Sequence, residues 1–446
     1  MAVCGMGSAA RSRRARLGGG LVRAAVLAGS VAAAWAWECS TDVALGPTRS
    51  TSKKGIALDD STWRGCASKI PSAWPNDGEP VKSLRLFRSW DKAWPEGDRM
   101  ESWKALVKFT HDNGAKIFVG TQITCSEEDD ERDWAWTKEL MQMLGREHIM
   151  GVSIGNELEL LASKKGSSET CATELWEGGR LWRDFQSRVE ELGALGLQDV
   201  PITSVFTGTG LGSGDTMQFM EIPGEALVHT FIGQATKKYG SRFVFAFNFY
   251  PYFDPNLRFD ENATGQCAAA LSIATCFNSS SCLVNSGVTL ARAKAQSIAN
   301  GRPQVWIGET GWSSPASSTL DTEMSHCEAW SSQSTLEKVY DNFLSWDLDR
   351  SSAPDHAFYF TARDSWNFGN LEHFGLIDSC LDPRCKVRSE HYKGRPLAWL
   401  SLVWLALSAC AGLGAVCLIC AGAASARRVR AKALLNIDAE AGAASA

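Results

Sequence analysis

The sequence lacks an excess of either charge: 45 Lys and Arg stand against 50 Asp and Glu, a net −5 over 446 residues. A chain so balanced offers no electrostatic footprint to a polyanion, and with 44% hydrophobic residues it has enough apolar surface to fold. Nucleic-acid binding and disorder are both disfavoured. The seven histidines are scattered with no paired ligand spacing, and Gly155-Asn156-Glu157 is not a phosphate loop, so neither a metal nor an organic cofactor is expected. Of the 14 cysteines, the ten between Cys39 and Cys385 (39, 66, 125, 171, 267, 276, 282, 327, 380 and 385) include no C-x-x-C pair, which favours a disulfide framework over a metal site and leaves its connectivity open.

Charge is missing altogether from two stretches. Ala24 to Trp37 is uncharged and follows Arg11, Arg13, Arg14, Arg16 and Arg23 with no acid before it. Residues 1–36 therefore read as a secretory signal peptide, with Ala34-Trp35-Ala36 as a small-x-small cleavage site; an Arg-rich organellar transit peptide is the alternative. Pro396 to Ala426 is likewise uncharged. Because about 20 residues at ~1.5 Å each cross a hydrocarbon layer, residues 397–419 are expected to form a transmembrane helix. Basic residues flank both ends, Lys386, Arg388, Lys393 and Arg395 before and Arg427, Arg428, Arg430 and Lys432 after, so their bias sets no orientation. The signal peptide sets it instead: a single-pass type I protein with an extracellular or luminal body, at the plasma membrane or an internal one, and the lipid bilayer as partner. A removed lipid-anchor signal is the rival, but such tails end at the apolar segment. The expected divisions are a linker at 37–54, a catalytic domain at 55–385, a juxtamembrane linker at 386–396 and a cytosolic tail at 420–446. The sequons at Asn262 and Asn278 agree with secretion.

What is plentiful is tryptophan, 18 residues, whose flat rings fill cores or stack on flat ligands. Short β-type runs recur at Gly55–Leu58, Ser83–Phe87, Lys116–Gly120, Gly151–Gly155, Pro201–Val205, Phe243–Phe249, Gln304–Gly308 and Ala357–Phe360. Between them lie amphipathic stretches such as Glu101–Asn113, Glu131–Gly145 and Glu174–Leu195. Strands alternating with helices imply a parallel sheet, and eight such units close a (β/α)8 TIM barrel. Catalytic groups in that fold sit just beyond the C-terminal ends of strands. Asn156-Glu157 follows the fourth run, Asn248-Phe249-Tyr250-Pro251-Tyr252 the sixth, Glu309-Thr310-Gly311-Trp312 the seventh, and Asp364-Ser365-Trp366 the eighth. A carboxylate emerging from an apolar strand is costly to desolvate unless paired or used, which singles out Glu157 and Glu309. The segment from Asp254 to Gly287 is expected to be a long, disulfide-tied loop overhanging the cleft.

The strings Val152-Ser153-Ile154-Gly155-Asn156-Glu157, Asn248-Phe249-Tyr250-Pro251-Tyr252-Phe253, Ile307-Gly308-Glu309-Thr310-Gly311-Trp312 and Glu372-His373-Phe374-Gly375-Leu376 resemble the ordered motifs of family 17 glycoside hydrolases, the β-1,3-glucanase family. The resemblance implies retaining hydrolysis of β-1,3-glucan, with Glu157 as acid/base and Glu309 as nucleophile, their carboxyls roughly 5–5.5 Å apart. It further implies substrate contacts from Asn156, Tyr250, Tyr252, Trp312, Asp364, Trp366 and Glu372. Arg363-Asp364-Ser365-Trp366-Asn367 departs from the family's Asp-Glu-x-Trp-Lys string: one acid is Arg and the lysine is Asn. Trp90, Trp134 and Trp136 read first as packing residues and second as sugar platforms. A β-1,3-glucanosyltransferase and a catalytically weak glucan-binding receptor are the alternative readings.

Overall fold

The computed structural model describes residues 39, 48–163, 167–212, 219, 227–254, 264–320, 322–367 and 370–387, all within the unit Met1–Ser389. The expected signal peptide, the apolar segment 397–419, the tail at 420–446 and the sequon at Asn262 lie outside the described residues. Among the described residues no helix is long and apolar enough to cross a membrane.

Eight strands close a parallel barrel in chain order: β1 (Lys54–Ala57), β2 (Ser83–Leu86), β3 (Lys116–Thr121), β4 (Ile149–Asn156), β5 (Ile202–Thr207), β6 (Phe245–Asn248), β7 (Val305–Thr310) and β8 (His356–Phe360). β8 pairs back onto β1, with Lys54 opposite Ala357 and Ala57 opposite Phe360, so the sheet has no open edge. Each of the eight predicted runs falls on one of these strands. They are apolar runs because both faces are covered: β5 and β7 are buried at every residue. A hairpin of β9 (Ser365–Asn367) and β10 (Asn370–Glu372) follows the barrel.

The described helices are α1 (Asp60–Gly65), α2 (Glu96–Asn113), α3 (Glu127–Leu144), α4 (Ser167–Trp176), α5 (Arg180–Ala194), α6 (Leu227–Tyr239), α7 (Thr264–Ala274), α8 (Leu283–Ile298) and α9 (Gln333–Leu344). α3 shows why such segments coil. Ser126 caps its N-terminus by accepting from the Asp129 amide, four acids in the first turn complement the helix dipole, and Trp134, Thr137, Leu140, Met141 and Leu144 form the buried face. The predicted single stretch Glu174–Leu195 is in fact two helices, α4 and α5, parted by Glu177-Gly178-Gly179. The expected loop at 254–287 is also corrected: it contains α7, whose alanine-rich sequence favours a helix, and the start of α8.

Five disulfides engage all ten of the expected cysteines: Cys39–Cys385, Cys66–Cys380, Cys125–Cys171, Cys267–Cys327 and Cys276–Cys282. The first two span 346 and 314 residues and tie the beginning of the barrel to its end, where closure of a long loop costs the unfolded chain most. Inside the barrel, Phe118, Val205, Val244, Ala246, Trp306 and Phe358 form a filled layer, with Phe118 stacked on Phe358 at 5.6 Å.

A buried polar network fixes the wall between β3 and α5. Arg180 donates to Asp130 at 2.8 Å, and Asp130 accepts from the Thr124 amide and hydroxyl. Both members of the ion pair are almost fully buried, at 2% and 1% side-chain exposure. Arg180→Ala would strand Asp130 without its cation, and denaturant titration should show a loss of about 3–5 kcal/mol. Arg146→Ala, which removes an exposed pair with Asp199, should leave the midpoint unchanged.

Candidate active site

Sheet register builds the site before any loop contributes. At the C-terminal mouth Asn248, the last residue of β6, lies directly opposite Glu309 on β7. Across the mouth, Asn156 ends β4, and the chain turns at once so that Glu157 takes a left-handed backbone conformation, φ 52°. Its amide is held by the Val205 carbonyl of β5 at 2.8 Å. A non-glycine residue in that region is held there by its surroundings, and such residues cluster where a side chain must be aimed.

The Asn248 amide joins the two carboxylates. Its Nδ2 lies 2.9 Å from Glu157 Oε1 and 2.7 Å from Glu309 Oε1. These two lengths hold the oxygens within about 5.6 Å of each other, near the ~5–5.5 Å of paired carboxyls that act by double displacement and short of the ~6.5–9.5 Å that admits an intervening water.

The two carboxyls have different surroundings. Glu309 is buried and receives Arg85 Nη1 at 2.8 Å, Asn248 Nδ2 at 2.7 Å and the Tyr250 hydroxyl at 2.6 Å. Three donors, one of them the cation of a buried ion pair, converge on it. Burial, reinforced by Glu309, holds the Tyr250 hydroxyl well above its ordinary pKa, so it stays protonated and donating. Among the described residues Glu157 has Asn248 but no cation within ion-pair distance. Burial first, and then the Glu309 charge, push it up to about 8. One carboxyl is thus kept protonated near neutrality beside another held as an anion. A third, Glu159, is fully buried in the turn after Glu157; one oxygen accepts from the Thr207 amide at 2.5 Å, and burial pushes it up to about 7.

Arg85 is the site residue that the sequence reading missed. It interrupts the apolar run of β2, is 1% exposed, and also donates to Asn248 Oδ1 at 2.8 Å and Asn156 Oδ1 at 2.6 Å. Its guanidinium lies 4.5 Å from the Phe87 ring and 5.7 Å from the Phe118 ring. An arginine in the middle of Ser83-Leu84-Arg85-Leu86 was the available signal, since an unpaired charge is not tolerated there. Gly308 makes room for it: a Cβ at 308 would sit 2.7 Å from both Arg85 Nη1 and Asn248 Oδ1.

Asn156, Glu157, Tyr250, Glu309 and Glu372 line one cavity of about 890 Å³. The other expected contacts do not. Tyr252 and Trp312 are 0% and 1% exposed and pack on one another at 5.2 Å; the Tyr252 hydroxyl meets Ser331 Oγ and the Trp312 indole donates to the Trp330 carbonyl. They are corrected to supports behind the site: an aromatic residue beyond a strand end here faces inward. Asp364 is likewise committed elsewhere, to Lys386 at 2.7 Å, His373 and the Gly375 amide. Trp366 stands 63% exposed on β9, opposite Leu371 of β10 and outside the cavity lining. Trp90 and Trp134 are buried, and Trp136 packs under Arg99. Among the described residues no group of three His, Cys, Asp or Glu is placed to hold a metal ion.

Neither a family model nor a curated protein matches the sequence. Solved structures with a similar chain path include plant β-glucan endohydrolases with distinct substrate specificities (TM-score 0.49, 15% identity, 75% of this chain and 99% of that one). They also include an active-site mutant of Rhizomucor miehei β-1,3-glucanosyltransferase in complex with laminaritriose (0.41, 12%, 77% and 99%) and a family 1 β-glucosidase from Thermotoga maritima (0.41, 13%, 76% and 95%). At such identity the likeness is one of chain path; what this site can do follows from its own side chains.

Glu157 supplies a test of this electrostatic arrangement. Its pKa near 8 in the folded protein exceeds the ordinary 4.5, so the folded form keeps a proton that the unfolded chain has already lost between those values. Stability from this group is complete below pH 4.5 and is lost as pH rises through 8. Glu157→Gln should therefore match the parent near pH 4 and exceed it by about 1–3 kcal/mol at pH 8.5 in denaturant titrations. Arg85→Met should instead destabilise the protein at pH 7, where it leaves Glu309 buried without its cation.

Proposed function

We propose that the protein is a retaining β-glycosidase acting on β-1,3-linked glucan, with Glu157 as acid/base and Glu309 as nucleophile. One observation carries this reading: two carboxyls held within about 5.6 Å on a shared amide, one protonated near neutrality and one held as an anion, as double displacement requires. Glu157 delivers its proton to the leaving oxygen as the glycosidic bond breaks, while a Glu309 oxygen bonds to the anomeric carbon. Water, deprotonated by Glu157, then attacks that carbon, releases Glu309 and restores the proton. Asn156 and Asn248 present amide groups beside the reacting centre, and Tyr250 orients Glu309.

The linkage rests on the ordered motifs. The direction of the sugar chain rests on the β9–β10 hairpin, where Glu372 reaches the cavity and Trp366 offers a bare indole further out. A chain extending from the nucleophile side toward that hairpin would meet the indole as a stacking surface. The five disulfides and the exposed sequon at Asn278 support a reading in which the barrel works in an oxidising compartment, with residues 397–419 proposed as its membrane anchor.

Product analysis on a linear β-1,3-glucan oligomer tests the activity: shorter chains support hydrolysis, longer chains would reassign the intermediate to a sugar acceptor, and no change would overturn the reading. Glu309→Ala should abolish turnover, and azide should restore some of it with an inverted product, because a small anion can occupy the vacated position. Turnover of an unactivated glucoside should fall as pH rises through about 8, where Glu157 loses its proton. Trp366→Ala should weaken binding of long oligomers by about 0.5–1.5 kcal/mol and leave short ones unaffected. Truncation near residue 390 should release a soluble, active enzyme, whereas the full chain should stay with membranes through alkaline washing.

A further inference from the structure

The cavity is chemically divided. On the Glu309 side stand Asn248, Tyr250 and Glu372, with Arg85 buried behind them; on the other side the wall is built by three elements that contribute no ionisable group to it. The turn Leu158–Ser163 contributes Leu160, the turn Gly208–Leu211 after β5 contributes Gly208, Thr209 and Leu211, and α8 contributes Leu283, Ser286, Gly287 and Leu290. The α8 positions follow i, i+3, i+4, i+7, so one continuous helix face is turned to the cavity. Leu160, Leu283 and Leu290 are each only half-buried, which leaves apolar surface bare to whatever enters.

The floor of this part is Phe249, the residue after Asn248, and the packing around it is specific. A Cβ at Gly208 would lie 2.7 Å from its ring and a Cβ at Gly287 would lie 2.5 Å from it. The ring is therefore clamped between two backbones and presents a fixed aromatic surface. The wall is anchored as a unit, because Lys294 of α8 donates to the Leu211 carbonyl. No tryptophan among the described residues lines the cavity, and in this half leucines flank the Phe249 ring.

Which half holds which part of a glycoside follows from proton transfer. The leaving oxygen must receive the proton of Glu157, and the apolar wall continues directly from the elements that carry Glu157: the Leu160 amide donates to the Glu157 carbonyl at 3.0 Å, and β5, which leads into Gly208, pairs with β4. The anomeric carbon must face Glu309. We infer that the chamber formed by Leu160, Leu211, Phe249, Leu283 and Leu290 receives an apolar leaving group, so that the substrate is a β-glucoside, or a short β-1,3-glucosyl chain, carried on a hydrophobic alcohol. This inference rests on the glycosidase reading and names its leaving group.

Kinetics of the full-length protein on methyl, propyl, butyl and hexyl β-glucosides test it. These alcohols differ little in acidity, so chain length reports contact rather than leaving-group chemistry. With an apolar chamber, kcat/KM should rise about three- to fourfold per methylene until the chamber is filled. Leu283→Asn and Leu290→Ser should each flatten that rise, and Gly287→Ala, which displaces the Phe249 ring, should do the same. Thr289→Ala, off the cavity face of α8, should retain the full slope. β-Glucosyl fluoride, whose leaving group is too small to touch the chamber, separates the two claims. Turnover of the fluoride together with a flat alkyl series, or a slope unchanged in all three chamber variants, would overturn the apolar leaving group and leave the glycosidase intact. No turnover of the fluoride would remove both.

Discussion

Much of the mouth of this barrel is arranged around one side-chain amide. Asn248 offers one nitrogen to two carboxyls, one on the neighbouring β7 and one in the turn after β4. An arrangement of this kind cannot hold two full charges at modest cost, because like charges this close repel and both are desolvated. It is stable when one carboxyl is ionised and one carries a proton. Arg85 decides which, since it contacts Glu309 and not Glu157. Asymmetry in one buried cation thus becomes asymmetry between two otherwise equivalent acids.

The requirements of that cation spread outward. Arg85 needs an opening in the sheet where Gly308 has no side chain, aromatic rings at its flank, and acceptors at its remaining donors, which Asn156 and Asn248 provide. Phe118, Trp306 and Phe358 belong to the filled layer of the barrel, and the Phe118 ring lies under the guanidinium. The two long disulfides join the segments on either side of β1 to the segment after β8, next to the β1–β8 pairing that closes the barrel.

This division explains what was readable in advance. All eight strands were legible because a strand buried on both faces reads as a mostly apolar run, and Glu157 and Glu309 were legible as carboxylates placed at the ends of such runs. Arg85 was hidden because it lies inside its strand rather than at its end, so an account of strand termini passes over it. Tyr252 and Trp312 were misplaced for the opposite reason. They follow strands 6 and 7 as platform residues would, but sequence does not say whether a ring after a strand turns toward the opening or into the layer behind it, and here both turn inward. The helix face formed by Leu283, Ser286, Gly287 and Leu290 was likewise obscured, because a segment rich in cysteine, serine and sequons reads as loop.

Glu159 adds a final step to the electrostatics. It is buried one turn past Glu157, one of its oxygens has no partner, and its proton is held to about pH 7. Where it ionises, its charge acts on Glu157 in the same direction as that of Glu309, raising the pH at which the proton departs. Neutral Glu159 at lower pH removes that support, but there Glu157 is protonated in any case. The third acid therefore acts where it is needed, on the alkaline side, where it extends the range over which the donor keeps its proton. The cost is a buried charge, offset in part by the hydrogen bond that the Thr207 amide donates to it.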